Sequence, residues 1–122
     1  MTPGPRFMKI LVAEDDELIG ELLTEMLVEM GHDVCDLEST EQGTVAAARQ
    51  YKPDLLLVDF QLSPGNGLDA VEMILQTQAI PYILVSGNIA RVRERRPEAI
   101  LLEKPYTQKA LASAIGRAGG LV

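Results

Sequence analysis

Apolar positions fall along this chain in two alternating rhythms. Met8 to Ala13 (MKILVA), Leu55 to Val58 and Pro81 to Val85 (PYILV) are unbroken apolar runs. Such runs are the pattern of short strands buried on both faces. Asp33 to Leu37 and Ile100 to Leu102 supply two further strands. The segments between them carry helical spacing. Leu18, Ile19, Leu22, Leu23, Met26, Leu27 and Met30 form a wide stripe, expected to be core, that stops at Gly31. Ser39 followed by Gln42 has the spacing of a capping box, and Thr44 to Tyr51 predicts an Ala-rich second helix closed by Pro53. Leu68, Val71, Met73, Ile74 and Leu75 mark a third helix. Thr107 caps a last one carrying Leu111, Ala114, Ile115 and Ala118, which Gly119 and Gly120 end. Ala90 to Glu98 has poor periodicity, holding Arg91, Arg93, Arg95, Arg96 and Pro97, so the fourth helix is predicted to be short or irregular.

Strand then helix, five times over, predicts an α/β fold. Short buried strands with helical crossovers make a parallel sheet covered on both faces. Right-handed crossovers leave few windings, and the doubly wound order 2-1-3-4-5 suits five units. The expected architecture is a (βα)5 flavodoxin-like three-layer sandwich.

Composition narrows the function. The 122 residues fit one domain, and 47% hydrophobic with 24% charged residues exclude a disordered chain. The net charge of −7 repels nucleic-acid phosphates, so no direct nucleic-acid partner is expected. A single Cys, Cys35, fits a reducing, cytoplasmic setting and is read as a small buried apolar side chain. No apolar run approaches the roughly 18 residues of a membrane span, so no membrane partner is expected. Residues 1–7 (MTPGPRF) lack the apolar centre of a secretory signal and read as a disordered tail, leaving 8–122 as the domain.

The polar residues at the strand ends carry the chemistry. Strand one ends in Glu14 and Asp15, strand three in Asp59, strand four in Ser86 and strand five in Lys104. In open parallel sheets, ligands lie beyond the carboxyl ends of the strands, and the predicted order sets these groups on one edge. Three gathered carboxylates call for a cation, and oxygen-only donors select a hard one, with Mg²⁺ the best fit. Asp59 can then act as a nucleophile toward phosphorus, Lys104 can neutralise a phosphoryl oxygen and the Ser86 hydroxyl can hydrogen-bond another. Gly87, with no side chain, leaves room for a phosphodonor.

These residues resemble a known pattern. KILVAEDD (Lys9 to Asp16), PDLLLVDFQLSPGNGLD (Pro53 to Asp69), ILVSG (Ile83 to Gly87) and LLEKPY (Leu101 to Tyr106) are similar, in order, to the receiver domain of two-component response regulators. Each motif alone is weak, but four in order at strand ends are specific. The resemblance implies that Glu14 and Asp15 hold Mg²⁺ directly or through water. It implies that Asp59 is the phosphoacceptor and that the main-chain carbonyl of Gln61 also binds the metal. Ser86 matches the hydroxyl switch residue, Lys104 the invariant lysine, and Pro105 a proline that follows a cis bond. The implied partners are a sensor histidine kinase or histidine phosphotransfer protein and a downstream protein. The implied chain is a monomer or weak homodimer that catalyses only its own phosphorylation and dephosphorylation. With no residues left over for an output domain, output is expected through protein binding or onward phosphotransfer.

Two departures matter. Leu101 stands where the family usually has Tyr or Phe, so the aromatic switch is expected to be absent or taken over by Tyr106. The short interval from Ser86 to Lys104 is similar to that of stand-alone receivers with a degenerate fourth helix. Plainer readings stand beside these. Glu14 to Asp16 could be a solvated turn before a helix, where acids are favoured anyway, with Asp16 as a cap. His32 reads as a surface turn residue, and the arginine cluster as a solvated face or a docking patch. A Mg²⁺-dependent phosphohydrolase using Asp59, and a receiver-like scaffold that signals without phosphate, are the alternatives. The first lacks an acid or base near Asp59, where Gln61 stands; the second leaves five clustered polar groups idle.

Overall fold

The structure is a computed structural model that describes residues Phe7 to Gly119. The expected tail therefore lies outside the described residues except for Phe7, which is largely exposed, and Gly120 also lies outside them. The elements run β1 (Lys9–Ala13), α1 (Glu17–Glu29), β2 (Asp33–Glu38), α2 (Glu41–Tyr51) and β3 (Leu55–Asp59). They continue as α3 (Gly67–Leu75), β4 (Tyr82–Ser86), α4 (Ile89–Arg95), β5 (Ile100–Glu103) and α5 (Gln108–Ala118). The five strands are parallel in the order β2-β1-β3-β4-β5, as expected.

Alternation along each buried strand splits the core into two layers. Ile10, Val12, Leu55, Leu57, Ile83 and Val85 face α1 and α5, meeting Leu23, Leu27, Leu111 and Ile115. Leu11, Ala13, Leu56, Val58 and Leu84 face the other way, against Ala47 and Ala48 of α2, Leu68, Val71 and Ile74 of α3, and Val92 of α4. Burying each of the larger side chains contributes about 1.5–3 kcal/mol, which fixes both helical layers on the sheet.

Local signals place the helix starts. The Asp16 carboxylate caps α1 by accepting from the Ile19 N–H at 3.1 Å. Thr107 caps α5 as expected, accepting from Ala110 at 3.0 Å. The capping box at Ser39 is not formed. Because β2 runs on to Glu38, the cap falls one residue later, on Thr40, which accepts from the Gly43 N–H at 2.9 Å. Gln42 thereby loses the reciprocal position, and Glu41 is the acid of the first turn. Before Pro53, α2 closes on Lys52 in the left-handed region, at φ 47°.

The stripe on α1 is core only in part. Gly20, Leu23 and Leu27 are buried, whereas Leu18, Ile19 and Leu22 are exposed, Leu18 at 65%. The sheet covers one face of this helix, and the stripe is wider than that face. Cys35 is half-buried rather than fully buried, its thiol lying 3.5 Å from the Ile10 carbonyl. His32 is a half-buried turn residue whose Nδ1 accepts from the Met8 N–H at 3.3 Å. Burial lowers its pKa.

Candidate functional site at the carboxyl edge of the sheet

Among the described residues only four polar or charged residues are buried: Glu14, Thr44, Asp59 and Ser86. Thr44 serves its own helix, its hydroxyl donating to the Thr40 carbonyl. The other three stand at the ends of β1, β3 and β4, each at most 6% exposed. Buried charge must be partnered, and the partner comes from the end of β5. The Lys104 ammonium donates to Glu14 Oε1 at 3.3 Å and to Asp59 Oδ2 in a tight contact. The peptide bond between Lys104 and Pro105 is cis, as the resemblance implies.

Backbone groups complete the cradle. Asp59 Oδ1 accepts from the Gln61 N–H at 2.8 Å, and Glu14 Oε2 from the Asp16 N–H at 3.2 Å. The Lys104 N–H donates to the Ser86 carbonyl at 3.0 Å, which ties β5 to β4 at this point. Ser86 Oγ accepts from the Asn88 N–H at 3.0 Å. Its lone pair is thus engaged while its proton stays available to an incoming acceptor.

The loop after β3 is pinned. The Gly67 N–H donates to the Phe60 carbonyl at 2.7 Å, Gln61 and Asn66 form an antiparallel bridge, and the Asn66 N–H donates to Glu41 of α2 at 3.0 Å. A side chain at Gly67 would overlap the Asp59 carbonyl oxygen. Only glycine lets α3 start this close to the end of β3.

The charges respond to one another. Burial pushes the Glu14 carboxyl above its ordinary value; the Asp16 N–H and Lys104 oppose this, and nearby Asp59 adds to it. Burial alone would lower the Lys104 pKa. The hydrogen bond and charge of Asp59, together with Glu14, override it and raise the pKa above the ordinary lysine value. The Tyr106 hydroxyl is also pushed up, by burial first and then by the charge of Glu14.

The structure brings Glu14, Asp59 and Lys104 into contact, with Ser86 on the wall of the same cavity. Asp15, next to Glu14 in the chain, is exposed, and among the described residues no three His, Cys, Asp or Glu side chains gather as a ready metal cluster, so the expected trio of Glu14, Asp15 and Asp59 is not closed. The donor set nonetheless fits Mg²⁺: two buried carboxylates share one ammonium, and every candidate ligand is an oxygen. Leu101 packs in the α2–α3–α4 layer, whereas Tyr106 packs against the α1–α5 layer. Tyr106 therefore does not occupy the layer that the missing aromatic would share with Leu101.

Three residues of the site escape sequence reasoning. Gly67 was legible only as part of a loop, although an Asn-Gly pair before the apolar positions of α3 is the available signal. Asn88 and Arg91 line the cavity, yet nothing in the chain separates Arg91 from its three arginine neighbours. Arg93 is exposed, as a solvated face would have it, but the other two are paired. Arg95 pairs with Asp69 and Glu72 at 3.0 and 2.6 Å, and Arg96 with Glu72 and Glu98 at 3.1 and 3.4 Å.

A doubly wound sheet with two acids and a lysine at its carboxyl edge defines a receiver, and comparison with known proteins agrees. Residues 10–115 match the family described as "Response regulator receiver domain", and the chain belongs to that family. It is 38% identical over 114 residues to Protein PilH of Pseudomonas aeruginosa, covering 88% of this chain and 93% of PilH. It is 35% identical over 114 residues to the phyllosphere-induced regulator PhyR of Methylorubrum extorquens, covering 90% of this chain and 43% of PhyR. The chain thus spans about half the length of PhyR, as of PdtaR of Mycobacterium tuberculosis, where it covers 54%. The solution structure of the PhyR REC domain of Erythrobacter litoralis superposes with a TM-score of 0.84 at 32% identity, covering 92% of this chain and 89% of that one.

Proposed function

We propose that this protein is a phosphorylation-dependent signalling module whose Asp59 accepts a phosphoryl group from a protein phosphohistidine. The observation that carries this is the Lys104 bridge between buried Glu14 and Asp59, which joins the ends of β1, β3 and β5. Glu14, Asp15, Asp59 and the Gln61 carbonyl would hold Mg²⁺, which when bound neutralises developing phosphoryl charge. Lys104 gives up Asp59 to the incoming phosphoryl group and follows one of its oxygens. The Ser86 hydroxyl, its lone pair held by the Asn88 N–H, donates to another. The phosphorylated protein differs from the free one in these two contacts, and only such a difference can shift a conformational equilibrium.

Partner chemistry follows the surface beside the site. Leu18, Ile19 and Leu22 form an exposed apolar patch on the turn of α1 nearest Glu14 and Asp15, suited to docking a protein phosphodonor. For output, the PhyR of Bartonella quintana, 32% identical with a TM-score of 0.84, is described as an anti-anti-sigma factor. By that likeness the output is protein binding. No helix among the described residues is long and apolar enough to cross a membrane, and a cytoplasmic location accords with this reading.

Incubation with acetyl phosphate and Mg²⁺ tests the proposal. Mass spectrometry is expected to find one added phosphoryl group, stable in acid and lost in base, and none on Asp59→Asn. An adduct persisting in Asp59→Asn, or none on the parent, would sink it; rapid turnover of phosphate esters would favour the hydrolase.

A further inference from the structure

The cavity over Asp59, about 200 Å³, has a second basic residue on its wall. Arg91 lies in the first turn of α4 and is exposed. It has no hydrogen bond or ion pair with any described residue, unlike Arg95 and Arg96. Arg91 and Arg95 are four residues apart and so share a helix face. The contacts of Arg95 with Asp69 and Glu72 on α3, and the burial of Val92, set the roll of α4 and with it the direction of Arg91. Gly87 puts nothing in the way: a side chain there would meet no atom within 4 Å.

The charge arithmetic gives this residue a task. Lys104 is already shared between two buried carboxylates. Besides Lys104, which those carboxylates engage, and the Mg²⁺ proposed above, Arg91 is among the described residues the one cation on the cavity wall that an entering dianionic phosphate can meet. A guanidinium without a partner offers two parallel donors that match two phosphoryl oxygens.

We propose that Arg91 is the entry clamp for small dianionic acyl phosphates, binding the donor's phosphoryl oxygens before transfer to Asp59. This rests on the receiver reading above. In the step itself an Asp59 carboxylate oxygen forms a bond to phosphorus. The bond from phosphorus to the acyl oxygen breaks, and the carboxylate leaves with the electron pair. No proton or electron is exchanged with another reagent.

The test measures the phosphorylation rate of the parent, Arg91→Ala, Arg91→Lys and Arg91→Glu with acetyl phosphate and Mg²⁺. The loss expected for Arg91→Ala at low ionic strength is about 10-fold, the lower end of electrostatic rate enhancement. Arg91→Glu is expected to lose more and Arg91→Lys to keep most of the rate. High salt is expected to bring the parent down toward Arg91→Ala, since exposed charges are screened. With phosphoramidate, which carries less negative charge, the loss in Arg91→Ala should be smaller. Circular dichroism verifies that all four proteins are folded. A parent that gains no phosphoryl group overturns the receiver reading and the clamp together. A parent that is phosphorylated at the same rate as Arg91→Ala overturns the clamp alone, as does an equal loss with both donors, which marks a structural effect.

Discussion

The two halves of the sheet on either side of Asp59 are built by different means. On the β1 side the strands next to the site are held by burial: β1 is buried at four of five residues and β3 at all five, and α1, α2 and α3 are each capped by a side chain, although the outer strand β2 has no fully buried residue. On the β5 side the strand has four residues with one buried, and α4 has seven residues, one buried side chain and no side-chain cap. What holds α4 against α3 besides Val92 is a set of surface ion pairs from Arg95 and Arg96. Exposed pairs contribute about 0–1 kcal/mol each, against about 1.5–3 kcal/mol for one buried leucine. The difference teaches where this receiver can move. Ser86, Asn88 and Arg91 sit on the weakly held half, while Glu14 and Asp59 sit on the rigid one. If Asp59 is phosphorylated as proposed, the chemistry is anchored on the well-buried side, and Ser86, Asn88 and Arg91 lie beside the element expected to open most easily.

That contrast can be broken most sharply in the core. Leu57, 1% exposed in β3, is expected to cost about 2–5 kcal/mol of global stability as Leu57→Ala. Val92→Ala on α4 is expected to cost about 2 kcal/mol or less. Its main effect should be faster hydrogen exchange of the α4 amides with the exchange of β1 and β3 unchanged. A global loss from Val92→Ala equal to that of Leu57→Ala would erase the distinction between the halves.

A smaller effect probes the other edge of the sheet. On β2, Asp36 and Glu38 are two residues apart and share a face. The hydrogen bond with Asp36, and then burial, push the Glu38 carboxyl from 4.5 up to about 7. A raised carboxyl favours the folded state when protonated. Its contribution is complete below 4.5 and is lost as pH rises through about 7. The parent should therefore lose stability relative to Glu38→Gln across this window, by about 1 kcal/mol after allowance for solvent screening. Urea midpoints at both ends of the window check this, and a difference that does not change with pH contradicts it.

The smallest effect belongs to the ion pairs. Glu72→Gln weakens contacts of both Arg95 and Arg96 and is expected to cost below about 1 kcal/mol, vanishing in high salt. Faster hydrogen exchange in α4 at low salt is the sensitive measure. An unchanged rate there would mean that Val92 alone holds the helix.

How much was legible in the chain depends on how local the cause is. β1, β3 and β4 could be read because apolar runs this short, bounded by polar and turn residues, suit buried strands better than helices, and the cap at Thr107 because it satisfies donors within its own turn. The cap at Thr40 was misplaced by one residue because the length of β2 depends on its pairing with β1. Leu18, Ile19 and Leu22 read as core because periodicity records which residues share a face, not whether a neighbour covers it.

By itself, the sequence determined the alternation of strand and helix, the doubly wound order, and the delivery of Glu14, Asp59, Ser86 and Lys104 to one edge. Each follows from hydrophobic period and right-handed crossover, which are properties of short segments. Only the tertiary structure decided that a single ammonium spans two buried carboxylates, that Gly67 must lack a side chain, and that one arginine of four faces the cavity. Those outcomes depend on distances between residues far apart in the chain, and packing alone sets them.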